Sequence, residues 1–191
     1  MKKIILVFCL FLPSIGLADS KGPNSPGSAA DEGDWNNPEN VINSDNYRAD
    51  HSGTSQHILR AYKFDFSVSG TVDGFYVEVE GYGNEPNPTR REINVALAKN
   101  SYTPEGNWKS GVLAYTSGSE AYIEFGASDD LWNGSWNTSE VNGADFSVLI
   151  RDDDTAGNTL NIDHVRITVF YTPSGGGDIS YTRRRKVSLE D

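Results

Sequence analysis

Val165-Arg166-Ile167-Thr168-Val169-Phe170-Tyr171 places an apolar side chain at every second position and a different set between them. That period of two belongs to a strand with one face on a core, because successive side chains leave opposite sides of the pleat. The same alternation recurs upstream. Tyr62, Phe64, Phe66 and Val68 form one run, Phe75, Val77 and Val79 a second, and Ile93, Val95 and Leu97 a third. Ala121, Ile123 and Phe125 make a fourth and Phe146, Val148 and Ile150 a fifth, with Val112 to Thr116 as a shorter candidate. Turn residues separate them: Ser69-Gly70, Gly83 to Pro88, Pro104 to Asn107, and Asp152 to Asn158. No stretch keeps a helical period. Short strands joined by connections too short for crossover helices predict an all-β fold, an antiparallel two-sheet β-sandwich with jelly-roll topology.

Composition sets the compartment and the classes to discard. The chain has 191 residues, enough for one domain, with 16 basic and 27 acidic residues and a net charge of −11. Such a surface repels a phosphate backbone, so nucleic acid is not an expected partner. Met1-Lys2-Lys3, the apolar run Ile4 to Leu12, and Gly16-Leu17-Ala18 have the form of a secretory signal peptide over residues 1–18, and the run is too short to span a bilayer. The expectation is a secreted protein, in the periplasm, at the cell surface or outside the cell, with no transmembrane segment in the mature chain. Cys9, the only cysteine, lies inside that run, so the mature domain rests on its core without disulfides. Residues 19–30, rich in Gly, Pro and Ser, predict a flexible leader; 31–173 form the sandwich domain; 174–191, after a Gly-rich hinge, form a flexible basic tail around Arg183 to Lys186.

Two constellations carry chemistry. Tyr76, Glu78, Glu80 and Tyr82 share the strand face opposite Phe75, Val77 and Val79. Rings pack on the apolar faces of sugars and carboxylates accept their hydroxyl hydrogens, so the stripe can line a carbohydrate groove. It can equally be a water-facing strand, or the acid pair of a carbohydrate-active hydrolase. Retaining carboxyls sit about 5 Å apart, whereas same-face neighbours on a strand lie about 7 Å apart. Trp108, in the polar loop Thr103 to Ser110, is a second candidate ligand platform, with packing at the core or edge as the default reading for it and for Trp35, Trp132 and Trp136. Around the Asp152–Asn158 turn, Asp152, Asp153, Asp154, Asn158 and Asp163 concentrate oxygen donors suited to calcium, although the order of an EF-hand is absent. The plain alternative is an acidic hairpin turn. Asp31, Asp34, Asn37 and Asn40 make a lesser candidate. His51, His57 and His164 form no zinc pattern, and the nucleophile elbow, P-loop and dinucleotide fingerprint are missing.

Trp35 to Asn40, Ser44 to Ala49, Phe64-Asp65-Phe66, Val72 to Val79, Leu131-Trp132 with Trp136, Phe146 to Val148 and Asp163 to Tyr171 together resemble a β-sandwich module of phage-tail and bacterial surface proteins, similar to galactose-binding-like jelly rolls. The resemblance implies recognition or attachment at a surface, through a glycan or an extracellular protein partner, without catalysis. A structural subunit of an extracellular assembly, joined through its tail, is the remaining alternative.

Overall fold

The computed structural model describes residues 18–53, 56–87, 91–152 and 158–174. Twelve strands appear among them: β1 (Asp19–Asn24), β2 (Ser28–Asp31), β3 (Trp35–Asn36), β4 (Ala49–Gly53), β5 (Leu59–Tyr62), β6 (Thr71–Gly83), β7 (Glu92–Ala98), β8 (Lys109–Val112), β9 (Ala114–Tyr115), β10 (Ala121–Ala127), β11 (Ser147–Asp152) and β12 (Asn158–Thr172). One helical turn, α1 (Thr138–Val141), is held by a capping box in which the Asn137 side chain accepts from Glu140 N and Glu140 reaches back to Asn137 N.

The strands form two sheets. The larger runs β10-β6-β12-β4-β3, with β1 added to β12 and β9 to β6; the smaller runs β2-β5-β11-β7-β8. Every pairing is antiparallel except the two-residue contact of β9 with β6. The inward residues of both sheets close one core: Phe75, Val77, Val79, Val165, Ile167 and Val169 from one side, Leu59, Ile93, Val95, Leu97, Val148 and Ile150 from the other. This is the all-β, two-sheet sandwich that the alternation predicts. At one end Phe146 gathers rings from four directions, with centroids at 6.2 Å to Phe64, 6.2 Å to Phe66, 5.6 Å to Phe75 and 5.5 Å to Trp136.

Three expectations change. Residues 19–24 and 28–31 are ordered strands and not a flexible leader: β1 pairs with Lys21↔Val169 and Ser20↔Phe170, and β2 with Ala29↔Ala61. β1 is almost wholly exposed, so the β12 ladder and not burial holds it. The run Tyr62 to Val68 is no continuous strand, because Lys63 (φ 61°) and Asp65 (φ 52°) take left-handed conformations after β5 ends, yet Phe64, Phe66 and Val68 still reach the core. Val112 to Thr116 divides into the end of β8 and β9, with Leu113 buried between. The signal-peptide residues 1–17 and the tail from 175 onward lie outside the described residues.

Candidate functional site

The strand β12 departs from strict alternation once. Leu160 and Ile162 point to the core, but so do Val165 and Ile167, and the ladder with β6 slips between Ile162↔Gly81 and His164↔Glu80. Asp163 is the extra residue of a β-bulge, and the bulge turns both Asp163 and His164 to the outer face. Gly81 makes this approach possible, since a Cβ there would lie 2.4 Å from Asn161 O. On that edge of β12 the register with β1 covers 167–171 and that with β4 covers 158–162. Ser25 and the Ser44–Arg48 loop close over the interval between them: Ser25 Oγ lies 2.8 Å from His164 Nε2, and Asp45 N–H donates to the Asp163 carboxylate.

Three rows cross the outer face of the larger sheet. Tyr122, Glu80 and His164 form the first; Glu124, Glu78 and Arg166 the second; Gly126, Tyr76 and Thr168 the third. Arg166 grips Glu78 with two bonds, Nε to Oε2 at 2.8 Å and Nη2 to Oε1 at 2.6 Å, and its guanidinium lies 4.0 Å over the Tyr122 ring. Tyr76 donates to Glu124, and that bond, reinforced by burial and by the nearby carboxylates, pushes its hydroxyl up to about 12. Tyr122 Oη is 2.7 Å from His164 Nδ1. Burial raises the Tyr122 pKa, as does its hydrogen bond to Glu80, and burial lowers that of His164.

Beyond the first row the face ends in a cluster of tyrosines and charges. Arg48 binds both oxygens of Glu120, holds Asn46 O at 2.8 Å, and lies 5.1 Å over the Tyr82 ring. Tyr47, one residue away on the same loop, is 71% exposed, and Tyr115, beside Gly83 through the β9 pairing, is 45% exposed with Arg91 5.6 Å from its ring. Asp163 sits beneath this loop at 1% exposure. Burial, then the Glu120 and Glu80 carboxylates, raise its pKa to about 6, against the pull of Arg48 and the Asp45 N–H.

That shift fixes a pH dependence. The folded carboxyl holds its proton more tightly than the unfolded one, whose value is 3.8, so its stabilising contribution is full below that value and fades as pH rises through about 6. His164 opposes it in part, because a lowered imidazole pKa removes stability as pH falls through its ordinary 6.5. Comparing wild type with Asp163→Asn isolates the carboxyl. In thermal melts the variant should match wild type near pH 4 and exceed it by on the order of 1 kcal/mol at pH 7.5. Parallel curves across that range would refute the assignment.

Of the residues singled out from sequence, Tyr76, Glu78, Glu80 and Tyr82 do share one outer face. Trp108 does not join them. It lies on the opposite side of the sandwich, over Ala96, Ala98 and Leu149 of the smaller sheet, with the Arg151 guanidinium 4.2 Å above its ring. It is half-buried, and the open loop platform expected of it is replaced by packing on the sheet. The calcium set is divided as well. Asp152 follows Val148 and Ile150 inward, is fully buried, and stands 3.6 Å from His51 Nδ1, whereas Asp163 faces outward with the larger sheet between them. One ion cannot take both. Asp153 and Asp154 lie outside the described residues, and of Asn158 only the backbone, opening β12, is described. Among the described residues no three His, Cys, Asp or Glu side chains converge as metal ligands. In the lesser candidate, Asp31 accepts from Gly33 N at 2.7 Å and Trp35 N at 3.2 Å, Asp34 pairs with His57, and Asn40 donates to Arg48 O, which are turn contacts and not a common centre.

No protein family and no curated protein matches the sequence. Solved structures are similar in fold, and carbohydrate-binding modules are among them. A family 29 module from Piromyces equi is similar at 10% identity and a TM-score of 0.42, covering 82% of this chain and 93% of its own. CBM35 from Paenibacillus barcinonensis gives 11% and 0.40, over 81% and 98%. TmCBM61, solved in complex with β-1,4-galactotriose, gives 10% and 0.35, over 81% and 88%. These likenesses concern the sandwich fold, and no residue role is carried over from them. Among the described residues no helix is long and apolar enough to cross a membrane.

Proposed function

We propose that this chain is an exported, non-enzymatic carbohydrate-recognition module that attaches to a glycan-bearing surface through the outer face of its larger sheet. The observation that carries this reading is the exposed Tyr47 ring, on the loop whose next residue, Arg48, pairs with Glu120 and lies over Tyr82. A sugar needs an apolar platform for its ring face and fixed polar groups for its hydroxyls, and both are supplied by a backbone that does not have to reorganise. The hydrolase alternative is disfavoured by Glu78, whose two oxygens are engaged by Arg166 and are not free to attack or protonate a glycosidic bond.

The test is a panel of soluble polysaccharides on affinity gels, with reducing ends measured in parallel. Retarded migration without new reducing ends is the expected result. Tyr47→Ala should weaken the interaction about tenfold, the loss of one stacked ring. Trp108→Ala, on the other side of the sandwich, should leave it unchanged. The opposite pattern would move the site to the smaller sheet, and release of reducing ends would establish an enzyme. A calcium ion in the 152–158 turn is a separate proposal, requiring ligands other than the Asp152–Asp163 combination; equal melting points in EDTA and in added calcium would remove it.

A further inference from the structure

Glu80 Oε2 and Asp163 Oδ1 are both shut away from solvent and have no hydrogen-bond partner. They project from adjacent strands at the bulge, and the Glu80 carboxylate disfavours the ionised form of Asp163, so that Asp163 holds its proton more tightly. An acceptor buried without a donor is costly, and a second negative charge beside it adds to the cost. The surrounding cations do not resolve this. Arg48 spends its bonds on Glu120 and Asn46, and Arg166 on Glu78. His164 is held toward its neutral form by burial, with its two ring nitrogens facing Tyr122 and Ser25. Asp45 contributes one N–H to Asp163, and its own carboxylate adds negative charge on the same side. Tyr122 supplies its single hydroxyl donor to Glu80, which leaves Oε2 without a partner. The cluster between β6, β10, β12 and the Ser44–Arg48 loop therefore has an excess of negative charge and two unused acceptor atoms.

We propose that this cluster of buried acceptors seats a primary ammonium group, so that the carbohydrate taken at this end of the sandwich is a cationic amino sugar; the inference rests on the carbohydrate reading above and specifies its substrate class. An ammonium is compact, carries three donors and one charge, and suits two unpaired acceptors on adjacent strands better than a planar guanidinium fork does. Calcium would ask for six or more oxygens, and the described side chains gather no such set. The Ser44–Arg48 loop covers Asp163, and its exposed Tyr47 would then lie against the ring of the sugar whose amine is bound.

Calorimetric titration of the whole chain with three hexasaccharides decides it: β-1,4-linked glucosamine, its N-acetylated counterpart, and a neutral β-1,4-glucan. The free amine should bind at least tenfold more tightly than the acetylated form, since acetylation removes both charge and two donors. Asp163→Asn, which keeps an acceptor for the Asp45 N–H, and Glu80→Gln should each erase that advantage. Asp129→Asn, an equal change of charge beyond the opposite end of β10, should preserve it. Melting curves confirm that each variant is folded, and either pocket variant alone suffices. Equal affinities for amine and acetamide, or a loss with Asp129→Asn as large as with Asp163→Asn, would overturn the ammonium seat. Tyr47-dependent binding of neutral sugars without an amine advantage would overturn the seat while leaving the carbohydrate reading intact. Absence of binding to these sugars and to a broad glycan panel would overturn both.

Discussion

Phe146→Ala should lower the unfolding free energy by about 4 kcal/mol, the upper part of the range for emptying a buried aromatic site. Phe146 is fully buried just before β11, and its ring is the meeting point of Phe64 and Phe66 from the coil after β5, Phe75 from β6, and Trp136 from the loop before α1. These neighbours belong to the larger sheet and to two irregular segments. They cannot all move inward to fill the space, because each is fixed by its own backbone pairing or turn. The large cost follows from that rigidity, since a cavity is penalised most where its walls cannot collapse. Phe146→Leu, which keeps most of the volume, should cost about 1.5 kcal/mol. Urea unfolding with unchanged m-values measures both. A loss under about 1 kcal/mol for the alanine variant would mean that these rings do not hold the sheets together.

The same principle explains which parts of the molecule are legible in the sequence. Alternation marks the strands whose one face is buried, so β6, β7, β11 and β12 stand out from Phe75, Ile93, Val148 and Val165 onward. It is silent on β1, where Asp19 to Asn24 bury almost nothing and are held by backbone bonds to β12. It misleads at Lys63 and Asp65, because two left-handed residues preserve an inward set of rings without a strand. Parity contains more than a first reading extracts. Val148, Ile150 and Asp152 share one parity, which places Asp152 inside and separates it from the acidic turn. Leu160 and Ile162 share a parity that Val165 and Ile167 break, and that break is the signature of the bulge at Asp163. Tyr47 and Arg48 carry no comparable signal. Their position depends on Glu120, which lies 72 residues further along the chain. The Tyr76–Tyr82 stripe is legible because it is local; the loop that completes its far end is assembled by tertiary pairing.

The Glu78–Arg166 pair tests whether that outer face is built or merely solvated. Arg166→Met should cost about 2–3 kcal/mol, below the full penalty for breaking a buried pair because the Arg166 side chain keeps 32% of its surface in water. What remains after the substitution is Glu78 at 8% exposure, on the same face as Glu80 and Glu124, with its strongest donor gone. Glu78→Gln should cost less, since the orphaned guanidinium can still turn to solvent and retain its place over Tyr122. The asymmetry separates desolvation from simple charge pairing, which would predict equal losses. The double variant Glu78→Gln/Arg166→Met should recover much of the single loss, giving a coupling energy of about 2 kcal/mol that changes little between 0.05 and 0.5 M salt. Additive effects, or a coupling that vanishes in salt, would mean that water already screens the pair. In that case Glu78 would be free to reach a ligand, and the ground for reading this face as non-catalytic would be lost.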